Sequence, residues 1–174
     1  MVVVRISGRT YRDMRITTHC GLVARAFGAE KIYLSAESDT SVPKTIQSVV
    51  ERFGGKFEVE FTHNTNQLLK QLQKEGFSLV HLTMYGEALQ KNIEKIREKK
   101  KIAIIIGADK VPASIYQQAD YNIGITNQPH SEVAALAITM HEIIEGKEDT
   151  LSFPDQKLEV IPTKKGKNVK RHAR

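Results

Sequence analysis

The sequence predicts an α/β domain: a mostly parallel sheet with helices on both faces. Three observations carry that expectation. Short β-branched runs alternate with stretches of helical spacing as far as Gly146, which is the pattern of strand–helix–strand units. The run KIAIIIG at 101–107 is almost wholly apolar, as a strand covered on both faces should be. A chain of 174 residues, 40% hydrophobic and 26% charged, is long enough for one core and short for two.

The elements follow in order. VVVRI (2–6) is the first strand. Thr17 or Thr18 is placed to cap a helix that turns Leu22, Val23, Ala26 and Phe27 inward. KIYLS (31–35) is the second strand; Ile46, Val49, Val50 and Phe53 then form one helical face after Pro43, stopped by Gly54-Gly55. KFEVEF (56–61) precedes a helix carrying Leu68, Leu69 and Leu72 and ending at Gly76. SLVHLT (78–83) leads into a charged helix over about 87–100 that places Leu89, Ile93 and Ile96 on one side. After KIAIIIG, Pro112 stands where a first helical turn favours proline. YNIGIT (121–126) is the last strand of the set. The final helix opens near Ser131 and runs through Val133, Leu136, Met140 and Ile144. A domain over 1–150 is therefore followed, at 151–174, by a basic extension with a short strand, LEVI.

Composition excludes several classes. Apolar runs stay well short of the ~20 residues that span a bilayer, and MVVVRI is laid out as a strand rather than a signal peptide. The lone cysteine, Cys20, rules out an internal disulfide framework and fits a reducing cytoplasm. The histidines and Cys20 lack metal-ligand spacing, so no metal is expected. From Gln156 to Arg174, seven lysines and arginines stand against Glu159 alone, so this segment holds the entire net charge of +6. A terminal basic segment on a balanced body fits a nucleic-acid partner, and also a merely solubilising end.

In open parallel sheets ligands bind outside the carboxyl ends of the strands. Three polar loops are expected there: HLTMYGE, GADKVP and TNQPHSE. Ser131 is a fitting N-cap, with Glu132 in the first turn, where a negative charge suits the helix dipole. A Ser–His–Glu triad is argued against, because His130 and Ser131 are adjacent and no G-x-S-x-G elbow is present. The crowding of Asn127, Gln128, Pro129 and His130 beside that cap reads instead as a binding loop. No G-x-G-x-x-G follows the first strand, so the usual dinucleotide fingerprint is missing. At the other end, Arg9, Arg12 and Arg15 stand within seven residues, and arginine forks suit phosphate.

RDMRITTH, LVARAFGA, HLTMYG, GADKVP and NQPHSEVAALA, in that order, closely resemble the archaeal tRNA (cytidine-56) ribose 2′-O-methyltransferases of the SPOUT superfamily. The resemblance covers about residues 2–146 and extends through IPTKKGKNV. It implies a parallel sheet ending in a deep trefoil knot that binds S-adenosylmethionine, a homodimer whose partner subunit completes the active site, and tRNA methylated at cytidine 56 in its T-loop. It also implies cofactor loops at Leu82, at Gly107, Ala108, Asp109, Lys110 and Val111, and at Ile125, Thr126, Asn127, Gln128, Pro129, His130, Ser131 and Glu132. A methyltransferase acting on another RNA nucleotide, and an RNA-binding protein without chemistry, are the alternatives.

One departure matters. Relatives that methylate other RNA riboses carry an Asn and an Arg in the first helix region, and simple register puts Ile16 and Leu22 at those places. The catalytic residue is thus sought among Arg15, His19 and Arg25. Arginine stays protonated and is a poor base, so Arg15 is expected to orient the ribose-phosphate and His19 to take the proton; His19 is equally read as capping its own helix. Arg9, Arg12 and the tail residues Lys164, Lys165 and Lys167 are expected to contact the RNA.

Overall fold

The computed structural model describes residues 1–6, 14–35, 41–107 and 110–172. Among these residues six strands form one parallel sheet, β1 (Val2–Ile6), β2 (Lys31–Leu34), β3 (Glu58–Phe61), β4 (Ser78–Ala88), β5 (Ile102–Gly107) and β6 (Tyr121–Gly124), in the order β3-β2-β1-β5-β4-β6. Among the described residues six α-helices flank it: α1 (Met14–Ala26), α2 (Ser41–Phe53), α3 (Thr65–Lys74), α4 (Leu89–Arg97), α5 (Ala113–Gln118) and α6 (Glu132–Ile143).

Strand side chains alternate between two cores, because successive Cβ atoms point to opposite faces. Val3, Ile104 and Ile106 join Cys20, Ala24, Ile46, Ile93, Leu136 and Met140, so α1, α2, α4 and α6 cover one face. Val2, Val4, Ala103 and Ile105 join Leu68, Leu69, Leu72 and Ile115, so α3 and α5 cover the other. Burying each isoleucine contributes about 1.5–3 kcal/mol, and the three consecutive isoleucines of β5 are at most 1% exposed.

Three elements depart from expectation. α1 begins at Met14, so Thr17 and Thr18 lie inside it rather than capping it; the Thr17 hydroxyl instead accepts a bond from Arg5. The buried side of α1 is formed by Cys20, Gly21, Ala24 and Arg25, while Ala26 is exposed. Gly21 lacks the side chain that would run into Ile46, and that absence brings α1 and α2 together. Glu87 and Ala88, expected to open the charged helix, also stay extended. β4 runs on to Ala88 and α4 starts only at Leu89.

In β4, Ile123 of β6 is paired with both Leu82 and Glu87, so residues 83–86 leave the ladder and return to it. Gly86 makes this possible: a Cβ there would sit 2.5 Å from the Asn122 carbonyl oxygen.

The basic segment is not a simple extension. β7 (Leu158–Ile161) and β8 (Asn168–Arg171) form an antiparallel hairpin with Val160 opposite Val169. It is rooted at the end of α2, where Gly55 N donates to the Pro154 carbonyl at 2.7 Å and Lys157 N to that of Arg52 at 3.0 Å. Among the described residues no helix is long and apolar enough to cross a membrane.

Candidate active site

A cleft of about 560 Å³ opens at the carboxyl edge of β4 and β5. β4 supplies His81, Leu82, Thr83, Met84 and Tyr85; β5 and the turn after it supply Ile106, Gly107, Lys110 and Val111; α5 supplies Tyr116; the loop and helix after β6 supply Pro129, His130, Glu132 and Ala135. The three loops expected to converge therefore share one cavity. Leu82, Gly107, Lys110, Val111, Pro129, His130 and Glu132, all named from the sequence, line it.

The remaining residues of the third loop shape it from behind. Asn127 Nδ2 donates to the Met84 carbonyl at 2.7 Å, tying this loop to the β4 excursion. His130 Nδ1 donates to the Gln128 carbonyl at 2.7 Å, and Gln128 N donates to the Thr126 hydroxyl at 3.3 Å. Ser131 caps α6, accepting from Val133 N at 3.2 Å. Ile125 packs against the core. Ala108 and Asp109 lie outside the described residues, as do Arg9 and Arg12.

Sequence reasoning missed the polar base of the cleft. Arg5, near the end of β1, is 1% exposed; its Nη2 donates to Glu132 Oε1 and its Nη1 to Thr17 Oγ1, each at 2.7 Å. A buried charge needs such partners, since an unpaired one costs several kcal/mol. Glu132 Oε2 is buried and has no partner among the described residues, so one carboxylate oxygen is fixed while the other is left to accept. Next to them, burial and the charge of Glu132 push the Cys20 thiol up to about 12, with Arg5 pulling the other way. Cys20 therefore stays a neutral thiol and serves as core.

His81 is fully buried, with its ring edge-on to Tyr116 at 4.6 Å. Asn122 Nδ2 donates to the Tyr116 carbonyl at 2.9 Å, which turns Asn122 Oδ1 toward His81 Nδ1 at 2.8 Å. An amide oxygen only accepts, so Nδ1 carries the proton and Nε2 keeps its lone pair. Burial lowers the pKa of this imidazole, the bond to Asn122 opposing the shift. The one signal in the sequence was a histidine inside an otherwise apolar strand.

The three candidate catalytic residues are not brought to the cleft within one chain. Arg15 and His19 are exposed on α1. Arg25 is placed differently from both. It is 8% exposed, donates to the carbonyls of Phe53 at 3.1 Å and Gly54 at 2.6 Å, and lies 4.8 Å from the Phe153 ring centroid. Ten residues of helix, about 15 Å, separate it from Arg15. It pins α1 to the end of α2 and to the strand-free segment beyond α6, so packing occupies the group that catalysis would need. Lys164, Lys165 and Lys167 are exposed on the turn of the β7–β8 hairpin. Among the described residues no three His, Cys, Asp or Glu side chains are grouped to hold a metal.

Residues 53–170 match the family described as tRNA ribose 2′-O-methyltransferase, aTrm56. The tRNA (cytidine(56)-2′-O)-methyltransferase of Methanocorpusculum labreanum is 48% identical over 170 residues, covering 98% of this chain and 92% of that one. The enzyme of the same name from Nitrosopumilus maritimus is 46% identical, with 96% and 94% covered. Among solved structures, the SpoU methyltransferase AviRb from Streptomyces viridochromogenes, crystallised with AdoMet, superposes with a TM-score of 0.63 at 12% identity, over 84% of this chain and 57% of that chain. The chain thus spans little more than half of AviRb, and the likeness is one of fold.

Proposed function

Because the chain belongs to the tRNA ribose 2′-O-methyltransferase family aTrm56, we infer that it methylates the ribose 2′-hydroxyl of cytidine 56 in tRNA. The methyl donor is S-adenosylmethionine, which when bound supplies an electrophilic methyl on a positively charged sulfur.

The observation that carries the assignment to this cleft is the meeting of three strand-end loops around a carboxylate held by Arg5. About 560 Å³ lies within the ~300–1,000 Å³ usual for small-molecule sites, and the lining mixes apolar walls with a few fixed polar groups. Leu82, Ile106 and Ala135 would face the flat apolar parts of a nucleoside. Glu132 Oε2, without a partner among the described residues, would accept from one of its donors.

Chemistry at the 2′-oxygen then needs alignment and a place for its proton. Alignment of bound reactants supplies up to ~7–11 kcal/mol in well-oriented cases. Arg15 orients the ribose-phosphate, and His19 accepts the proton, an imidazole being suited to that near neutrality. Both side chains are exposed on α1 and are not among the residues lining this chain's own cleft. A homodimer in which α1 of one copy faces the cleft of the other would bring them in. Arg9, Arg12 and the hairpin lysines contact the phosphates of the tRNA. With one buried cysteine and tRNA as substrate, the protein works in the reducing cytoplasm.

Transfer of labelled methyl to a tRNA transcript, followed by mass spectrometry of the nucleotides, tests the assignment. Label at cytidine 56 is expected. Label at another nucleotide would redirect the specificity, and tight tRNA binding without transfer would favour a non-catalytic RNA-binding protein.

A further inference from the structure

Tyr85 is unexplained by the packing of the protein. It stands 77% exposed at the mouth of the cleft, and it is the one exposed aromatic among the described residues. Its backbone is held firmly. Tyr85 N donates to Thr83 Oγ1 at 3.3 Å, and the Thr83 hydroxyl shares a 3.0 Å hydrogen bond with that of Tyr116. Asn127 grips the carbonyl of Met84, and Gly86 lies against the backbone of Asn122 and Ile123. A rigid loop therefore presents a bare phenol ring to solvent, beside the place where a reacting ribose must sit. A tyrosine fixed at its backbone has only two side-chain torsions to order, so a flat partner is bound at small entropic cost.

A ribose can enter a cleft at this strand edge only if its base leaves the neighbouring stack. Splayed bases are received on aromatic faces, which accept any base because each has a π-face. We propose that Tyr85 is the stacking platform for the base of the methyl-accepting nucleotide, holding it at the rim while the ribose is directed inward. Lys110 lines the same cleft, so a cationic group stands near the adjoining phosphates. The proposal rests on the methyl-transfer reading of the cleft and adds to it how the nucleotide is held.

The test is a double-mutant cycle on the full chain in the presence of S-adenosylhomocysteine. Affinity is measured for two tRNAs, one intact and one with an abasic ribonucleotide at the acceptor position. Tyr85→Ala is expected to weaken intact tRNA by roughly 5- to 100-fold, the range of a single base–aromatic stack, and to leave abasic tRNA unchanged. Tyr85→Phe keeps the ring and should bind intact tRNA within about 3-fold of the parent, since the π-face is retained. Equal weakening of both tRNAs, or of neither, overturns the proposal; so does a change of sedimenting mass in Tyr85→Ala, which would make the ring a contact between copies. Calorimetry of S-adenosylhomocysteine alone separates the two failures. If the parent protein does not bind it, the cleft assignment fails; if binding is normal and the cycle shows no coupling, only the platform fails.

Discussion

Arg5 and Glu132 are 127 positions apart in sequence, yet their side chains meet at 2.7 Å inside the domain. The contact joins the end of the first strand to the first residue of the last α-helix. The same guanidinium reaches Thr17 in α1. One buried cation thus fixes, relative to each other, the helix that carries Arg15 and His19 and the helix that opens onto the cleft.

Removing one member should leave the other charge stranded. Arg5→Met is expected to lose about 3–5 kcal/mol in urea unfolding, the cost of breaking a buried pair. The double variant Arg5→Met, Glu132→Gln should recover part of that loss. If the single variant unfolds at the same urea concentration as the parent, the pair has no structural weight.

The buried imidazole of His81 gives a pH dependence of known sign. Its pKa is lowered in the fold from 6.5, so near and below pH 6.5 the unfolded chain binds a proton that the folded one refuses. Stability then rises with pH through this window and falls on acidification. Unfolding curves between about pH 5 and 7.5 for the parent and His81→Phe should differ in slope, the variant being flatter. Parallel profiles would mean that His81 takes up its proton in place.

Gly86→Ala should damage the fold and the cleft together. The added methyl meets the Asn122 carbonyl and the Ile123 backbone, and overpacking of this kind costs about 1–3 kcal/mol. Lower Tm with weaker S-adenosylhomocysteine binding is expected. An unchanged Tm would show that the excursion at 83–86 yields freely.

Charge at the hairpin is best tested by substitution. Ending the chain at Thr163 would delete β8 and leave β7 unpaired, which confounds charge with structure. Lys164, Lys165 and Lys167 changed together to Gln should flatten the salt dependence of tRNA binding by roughly 0.7–0.9 in log–log slope for each phosphate no longer neutralised. A slope equal to that of the parent removes the hairpin from the RNA interface.

The two arginines of α1 predict opposite phenotypes. Arg15→Ala should fold normally and lose turnover by roughly 10²-fold or more, as when a positioned donor is removed. Arg25→Met should instead lose about 2–3 kcal/mol of stability through its bonds to two carbonyls, with turnover per folded molecule retained. Reversed outcomes would return Arg25 to the catalytic set.

Local pattern made the strands and the three cleft loops legible, because burial on both faces leaves apolar runs and turns leave Gly, Pro and Asn. Ser131 could be read as a cap for the same reason: its partner, Val133 N, is two residues away. Arg5 and His81 could not. Each sits in a strand where period and hydrophobicity speak only of burial, and the partner that makes burial tolerable comes from a distant element. The hairpin was hidden differently. NVKR is too charged to announce a strand, and its pairing with LEVI depends on a turn whose lysines read as an unstructured run. The start of α1 was misplaced because two threonines looked like caps, when one of them was already engaged by the arginine of β1.

The thiol of Cys20 offers a use beyond its place in the core. It is the only one in the protein, wholly enclosed, with its pKa pushed up to about 12 by burial. Alkylating reagents therefore have a single target, silent while α1 rests on the sheet and reactive once it lifts. The rate of modification counts those openings, so a bound ligand that clamps the helix would register as slower labelling, with no probe introduced into the chain.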